Sequence, residues 1–340
     1  MCLLKNLSTA TVPQGAKADL RFLLSDIQKA AQIIQEGGIV AFPTETVYGL
    51  GADALNPYAV ARVFEVKNRP QFDPLIVHVA DLRQAEILVT KFPDKALKLA
   101  GKFWPGPLTI VLPKSPLVPD IVTSSLPTVA IRVPNHPMAL ELIRESGRPI
   151  AAPSANPFGA VSPTTAEHVR RSLGNKVDLI LDGGPCQVGV ESTVISLTRK
   201  DPVLLRPGGV SLEDLQAVLG RVDLPPATDA KPQAPGQLEN HYAPRTALFL
   251  DKLSTTEVQG KKIGLLVFQE PPDRSSFEAV EVLSPQGDLK EAAANLFAAV
   301  RRLDEKGLDF ILARPVPQEG LGRAINDRLS RASRQGTTLP

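Results

Sequence analysis

Hydroxyls and cations recur at the ends of apolar runs in this sequence. "IVAFPTETVYGLGADAL" follows four apolar residues with Thr44, Glu45, Thr46 and Tyr48, and closes on Gly49 and Gly51. "VKNRP" sets Lys67 and Arg69 behind a helical pattern, "TVAIRVP" ends a strand pattern at Arg132, and "LLRPGG" ends another at Arg206. "PIAAPSANPFGAVSPTT" runs from a strand into Ser154, Asn156, Ser162 and Thr164, and "VESTVI" opens a strand with Glu191, Ser192 and Thr193. Guanidinium and ammonium groups bind carboxylate and phosphate through charge-assisted hydrogen bonds. Hydroxyls give and accept bonds to a polar zwitterion. With no histidine–carboxylate dyad legible, such a set holds and neutralises anions rather than moving protons.

Each stretch also has an ordinary structural explanation. "PTETVYG" reads as a turn held by side-chain-to-backbone bonds. Lys67 and Arg69 complement a helix dipole, and Ser162 and Thr164 are candidate caps. The functional signal lies in the repetition, because loops at strand ends gather ligand sites.

Bulk properties narrow the class. The chain has 340 residues, is 43% hydrophobic and 22% charged, and carries a net charge of +2. Its length favours two domains, and its charge gives no support to a nucleic-acid surface as the main role. Two cysteines, Cys2 and Cys186, exclude a disulfide framework or a cysteine-based zinc site and fit a reducing compartment. His78, His136, His168 and His241 are scattered without metal-ligand spacing. Neither a Walker A loop nor GxSxG occurs. "GLGADA" (Gly49, Gly51, Ala54) matches GxGxxA, but Gly49 falls seven residues past the strand end at Phe42, outside the first βα turn. No apolar run reaches about 18 residues, and the first residues do not form a signal peptide. The expectation is a cytoplasmic protein with no membrane association.

The elements that position these residues alternate between strands and helices. "SDIQKAAQIIQEGG" predicts a helix capped by Ser25, buried through Ile27, Ala30, Ala31 and Ile34 and stopped by Gly37. Asn56-Pro57 predicts an N-cap and first turn. Several strands adjoin in sequence, which predicts an α/β (α+β-like) sheet of mixed direction. A proline-rich stretch begins at Arg221 and reads as a linker. The expected organisation is a lead-in over 1–20, a first domain over 21–220, a linker over 221–245 and a smaller three-layer, Rossmann-like α/β unit over 246–340.

Together these motifs resemble those of YrdC-type threonylcarbamoyl-AMP synthases. "PTETVYGLG", Lys67-x-Arg69, Ser154-x-Asn156, "STVI" and "RPG" are similar in order and spacing over about 20–220. "PGQLENHYAP" with the unit that follows resembles the longer, two-domain form. The resemblance implies a YrdC-like mixed twisted sheet and an enzyme, a nucleotidyltransferase. It would condense L-threonine, bicarbonate or CO2, and ATP, for threonylcarbamoylation of tRNA. Thr46, His78, Arg132, Ala152 and Ser192 would then face threonine, with Tyr48 and the glycines forming the pocket's floor and wall. Lys67, Arg69, Asp73, Thr128, Ser154, Asn156, Ser162, Arg206 and Tyr242 would face ATP, with Lys67 and Arg69 acting in catalysis. Mg²⁺ on the triphosphate is expected, with Glu45 or Glu191 as candidate ligands. The linker, bearing His241 and Tyr242, would be a lid. Partners would include tRNA or tRNA-modification proteins. The competing reading is a non-catalytic module that binds tRNA or double-stranded RNA.

Overall fold

A computed structural model describes residues 14–224, 241–250 and 260–333. Residues 225–240, the body of the expected linker, and 1–13 of the lead-in lie outside them. Among the described residues, no helix is long and apolar enough to cross a membrane.

The first helix, α1 (Gln14–Gln35), starts well before Ser25. The residues preceding Ser25 are mostly good helix formers, so the helix runs through a serine that sequence alone reads as a cap. Its predicted stripe, Ile27, Ala30, Ala31 and Ile34, is buried, and Gly37 (φ 83°) follows its end. Next along the chain are α2 (Pro57–Lys67), α3 (Leu82–Glu86), α4 (Asp94–Phe103), α5 (Asp120–Thr123) and α6 (Pro137–Ser146). Then come α7 (Ala166–Leu173), α8 (Leu212–Leu219), α9 (Leu289–Asp304) and α10 (Gly322–Ser333). Asn56 caps α2 as predicted, its side chain accepting from the amides of Tyr58 and Ala59.

Nine strands form the large sheet: β1 (Val40–Phe42), β2 (Gly49–Asp53), β3 (Ile76–His78), β4 (Leu108–Pro113), β5 (Thr128–Arg132), β6 (Ile150–Ala151), β7 (Leu179–Ile180), β8 (Thr193–Ser196) and β9 (Val203–Arg206). Their spatial order is β7-β1-β2-β6-β3-β5-β4-β8-β9. Parallel pairs (β1–β7, β3–β5, β4–β8) mix with antiparallel ones, as the adjoining strands predict. At the centre His78 stands opposite Arg132, and at the β8–β9 edge Arg206 stands opposite Val194. Strand alternation puts His78 with Ile76, and Arg132 with Ala130 and Thr128, on one face.

A second sheet, β10 (Leu248–Leu250), β11 (Ile263–Val267), β12 (Ala279–Val282) and β13 (Phe310–Ala313), is wholly parallel in the order β10-β13-β11-β12. Helices α9 and α10 pack on it and on each other. Its apolar cluster, including Leu266, Leu296, Phe297 and Ile311, also takes in Val47, Val161, Val190 and Tyr242 from the preceding chain. Gly189 (φ 74°) marks the join: a Cβ there would lie 2.4 Å from the Ala293 carbonyl oxygen. The two sheets are therefore bridged by packed side chains and close backbone contact.

Candidate active site

Past β1 the chain turns around Thr44. Its hydroxyl donates to the Val47 carbonyl (2.6 Å), accepts from the Thr46 and Val47 amides (3.1 and 3.2 Å), and lies 2.8 Å from the Thr46 hydroxyl. These bonds hold the turn that brings Thr46 to the cleft. Tyr48 does not form a wall of that cleft. Its hydroxyl donates to the Gly184 carbonyl (2.8 Å) and accepts from the Gly183 amide (3.1 Å), and its ring joins the main core. Burial pushes its phenol up to about 12. Gly51 likewise serves packing, since a Cβ there would come within 2.7 Å of the Phe42 ring. Only Gly49 of this pair lines the cleft.

The residues expected at the threonine end converge. Thr46, His78, Arg132, Ala152 and Ser192 line one cleft, together with Arg69, Ser154, Arg206, His241 and Tyr242. Arg132 meets Glu45 (NH2 to Oε2, 2.8 Å), and its Nε donates to the Gly106 carbonyl (3.3 Å). The His78 ring packs edge-on to Phe42, 6.0 Å between centroids. Burial, then the nearby Arg132 charge, hold its imidazole down at about 3, so it is neutral at neutral pH. Its Nδ1 is buried without a hydrogen-bond partner. Ser192 Oγ pairs with Thr109 Oγ1 at 2.7 Å, and the Arg206 NH2 donates to the Ser192 carbonyl (2.8 Å) and hydroxyl (3.2 Å).

At the end of α2 the helix terminus does the positioning. Asn68 adopts a left-handed conformation (φ 51°), turning the chain so that Lys67 and Arg69 both point inward. Lys67 Nζ donates to the Ser154 carbonyl (2.5 Å) and to the Asn156 carbonyl. Burial, then the Arg69 charge, push its ammonium well below the usual lysine range. Arg69 pairs with Asp73 (NH2 to Oδ2, 2.9 Å) and donates to the carbonyls of Asp73 (3.0 Å) and Pro74 (2.9 Å). Burial raises the Asp73 carboxyl against the pull of Arg69.

Five of the expected nucleotide-side residues do not line the cleft: Lys67, Asp73, Thr128, Asn156 and Ser162. Lys67 stands behind its wall, tying the Ser154 and Asn156 backbone. Asp73 stands behind Arg69. The Asn156 amide donates to the Pro157 and Ala160 carbonyls (both 2.9 Å). Ser162 donates to Glu191 Oε1 at 2.6 Å. Thr128 begins β5, opposite Pro113, on the Arg132 face but a strand's length away.

Residues outside the expected threonine and ATP sets also line or brace the cleft. Glu191 lines it, and its Oε2 accepts from Arg328 Nε at 2.9 Å. Arg328 lies on α10, far along the sequence, but a signal existed. Ala324, Ile325, Leu329 and Ala332 form a buried stripe, and position 328 falls on it. His241 packs against Phe158 and Tyr242, with centroids 5.8 and 4.0 Å away, and burial with the surrounding cations holds it neutral.

Such a cleft, rich in cations and hydroxyls, suits an enzyme that holds anionic groups in place by position and charge. Residues 32–208 match the Sua5–YciO–YrdC family model, described as telomere recombination. Residues 210–334 match the C-terminal domain of threonylcarbamoyl-AMP synthase. The chain belongs to this family of synthases, in its two-domain form. It is 47% identical over 324 residues to the threonylcarbamoyl-AMP synthase of Pyrococcus abyssi, covering 90% of this chain and 94% of the relative. Identity to the Bacillus subtilis enzyme is 45% over 320 residues, covering 90% and 92%. The crystal structure of P. abyssi Sua5 complexed with L-threonine matches with a TM-score of 0.86 at 45% identity, covering 91% of this chain and 94% of that one.

Proposed function

We propose that this chain condenses L-threonine, bicarbonate or CO2, and ATP into threonylcarbamoyl-AMP in the cytoplasm, releasing pyrophosphate and supplying tRNA modification. The observation that carries this reading is the convergence of Thr46, His78, Arg132, Ala152 and Ser192 with Arg69, Ser154 and Arg206 on one cleft. Threonine's free amine adds to the carbon of CO2, forming an N–C bond and releasing a proton to give a carbamate. A carbamate oxygen then attacks the α-phosphorus, and the bond to the bridging oxygen breaks with its electron pair leaving on pyrophosphate. The nucleophile is already anionic, so no strong base is needed. Arg132 is placed to clamp the threonine carboxylate. Arg69 and Arg206 neutralise charge on the transferring phosphate, and Lys67 fixes the Ser154–Asn156 backbone beside it.

The carboxylates in the cleft and behind its wall each face an arginine rather than an open metal position. Glu45 faces Arg132, Asp73 faces Arg69, and Glu191 faces Arg328. Among the described residues no cluster of three or more metal-binding side chains occurs. Mg²⁺ would instead enter on the triphosphate and offset charge on the leaving pyrophosphate, while Glu45 and Glu191 orient arginines.

His241 and Tyr242, at the described end of the 221–245 linker that joins a 21–220 domain to a 246–340 domain, act as a lid on the cleft. Tyr242 has a left-handed backbone (φ 66°), its ring stacks on Phe297 at 5.6 Å, and Ala243 donates to the Gly159 carbonyl (2.8 Å). A non-glycine residue held at positive φ over a cleft fits a constrained functional position.

The test is pyrophosphate release from ATP with threonine and bicarbonate each omitted in turn. Release that needs both supports the synthase. No release, with tight tRNA binding, supports the RNA-binding module.

A further inference from the structure

We infer that Arg328, contributed by the C-terminal unit, is a positioning residue of the ATP end of the cleft, because it neutralises the cleft-lining Glu191 carboxylate. The guanidinium is buried at 1% side-chain exposure and ties several chain segments together. Its Nε donates to Glu191 Oε2 (2.9 Å), and its NH1 donates to the Pro207 carbonyl and to Asp327 Oδ2 (both 2.8 Å). Its carbon sits 5.2 Å from the centroid of the Tyr242 ring. Pro207 directly follows Arg206, and the other Glu191 oxygen accepts from Ser162. One side chain from α10 thus fixes the segments that carry Glu191, Arg206 and Tyr242 to the cleft.

The charge balance explains why a cation is needed there. Glu191 lines the cleft that must admit a triphosphate. Burial opposes its ionisation, but Arg328, Arg206 and the Ser162 hydroxyl outweigh burial and hold its carboxyl below the usual range. The charged form of the carboxylate is therefore favoured. Left unpaired, it would repel the nucleotide's phosphates across a poorly solvated gap. Paired with Arg328, it instead orients Ser162 without presenting net charge. Of the two cations that hold Glu191 ionised, Arg206 comes from the N-terminal unit and Arg328, which bonds the carboxylate directly, from the C-terminal unit, which gives that unit an electrostatic role in the site itself.

This inference rests on the ATP-using reading above, so its test reads ATP binding separately from turnover. Full-length protein, Arg328→Met, Glu191→Gln and the double variant are compared by isothermal titration with ATP. Threonine-dependent pyrophosphate release and thermal midpoint are measured beside it. Arg328→Met is expected to weaken ATP binding roughly tenfold or more, since it leaves a buried charge uncompensated. The threonine KM should stay within about twofold, as expected for an effect confined to one subsite. The double variant should bind ATP as Glu191→Gln does, because a neutral glutamine needs no counter-cation. If Arg328→Met binds ATP normally, or the double variant binds far more weakly than Glu191→Gln, the inference is overturned. The second comparison decides the matter even if Arg328→Met does not fold. Failure of unsubstituted protein to release pyrophosphate while still binding ATP would instead count against the synthase reading alone.

Discussion

Arg132 and Glu45 form a buried ion pair, NH2 to Oε2 at 2.8 Å, with side chains 4% and 5% exposed. The two come from different strand ends, β5 and the turn after β1, and their pairing joins the motif "PTETVYG" to the sheet centre. Arg132→Met leaves Glu45 buried and uncompensated, so stability should fall by about 3–5 kcal/mol. Threonine binding should weaken with it, while Arg132→Met/Glu45→Gln should recover most of the stability but not the binding. Denaturant unfolding and threonine titration read the two effects apart.

Lys67 makes a different prediction. Its ammonium bonds the Ser154 and Asn156 backbone carbonyls behind the cleft wall. Lys67→Met should cut kcat by about 10²-fold, the scale for a roughly 1 Å misplacement of groups beside the reacting atoms. Far-UV circular dichroism should remain that of the folded protein. A kcat within a few fold of the unsubstituted enzyme would remove Lys67 from the site.

Histidine titration predicts acid sensitivity of a defined sign. The His78 imidazole is held at about 3 against an ordinary 6.5. A depressed pKa means that its contribution to stability is complete above pH 6.5 and is lost as pH falls from 6.5 towards 3. The slope attributable to it is at most about 1.4 kcal/mol per pH unit. His168, held at about 4, and His241 act in the same direction. The difference between unsubstituted protein and His78→Gln in unfolding free energy, followed from pH 7 to pH 4, isolates the His78 share. Parallel curves would contradict it.

The glycines of "RPGG" and "YGLG" differ in what they permit. A Cβ on Gly208 would lie 2.4 Å from the backbone of Glu191, Ser192 and Thr193, which cannot step aside. Gly208→Ala should therefore cost at least about 1–3 kcal/mol and displace Ser192 from Arg206. A Cβ on Gly49 would meet only side chains, at 3.3 Å and beyond, so Gly49→Ala should fold with near-normal stability. Thermal unfolding of both variants checks the contrast.

Local chemistry made much of this legible. Asn56 announced α2, and Lys67 and Arg69 behind a helical pattern marked its end, while their inward turn came from the left-handed Asn68. Strands ending in Arg132 and Arg206 placed cations at one side of a mixed sheet. What stayed hidden depended on long-range packing. The short strand β6, formed by residues 150–151, inserts between β2 and β3, and no local pattern dictates that order. Tyr48 sits among site residues in sequence, yet its contacts with Gly183 and Gly184 draw it into the core. Arg328 reaches the site only because the second sheet packs against the first.

Product analysis tests the central claim most directly. Protein incubated with ATP, L-threonine and 13C-bicarbonate should yield an adenylate whose carbamoyl carbon carries the label, seen by mass spectrometry, and Arg69→Ala should abolish it. An unlabelled threonyl-adenylate, or labelled product formed equally well by Arg69→Ala, would contradict the account.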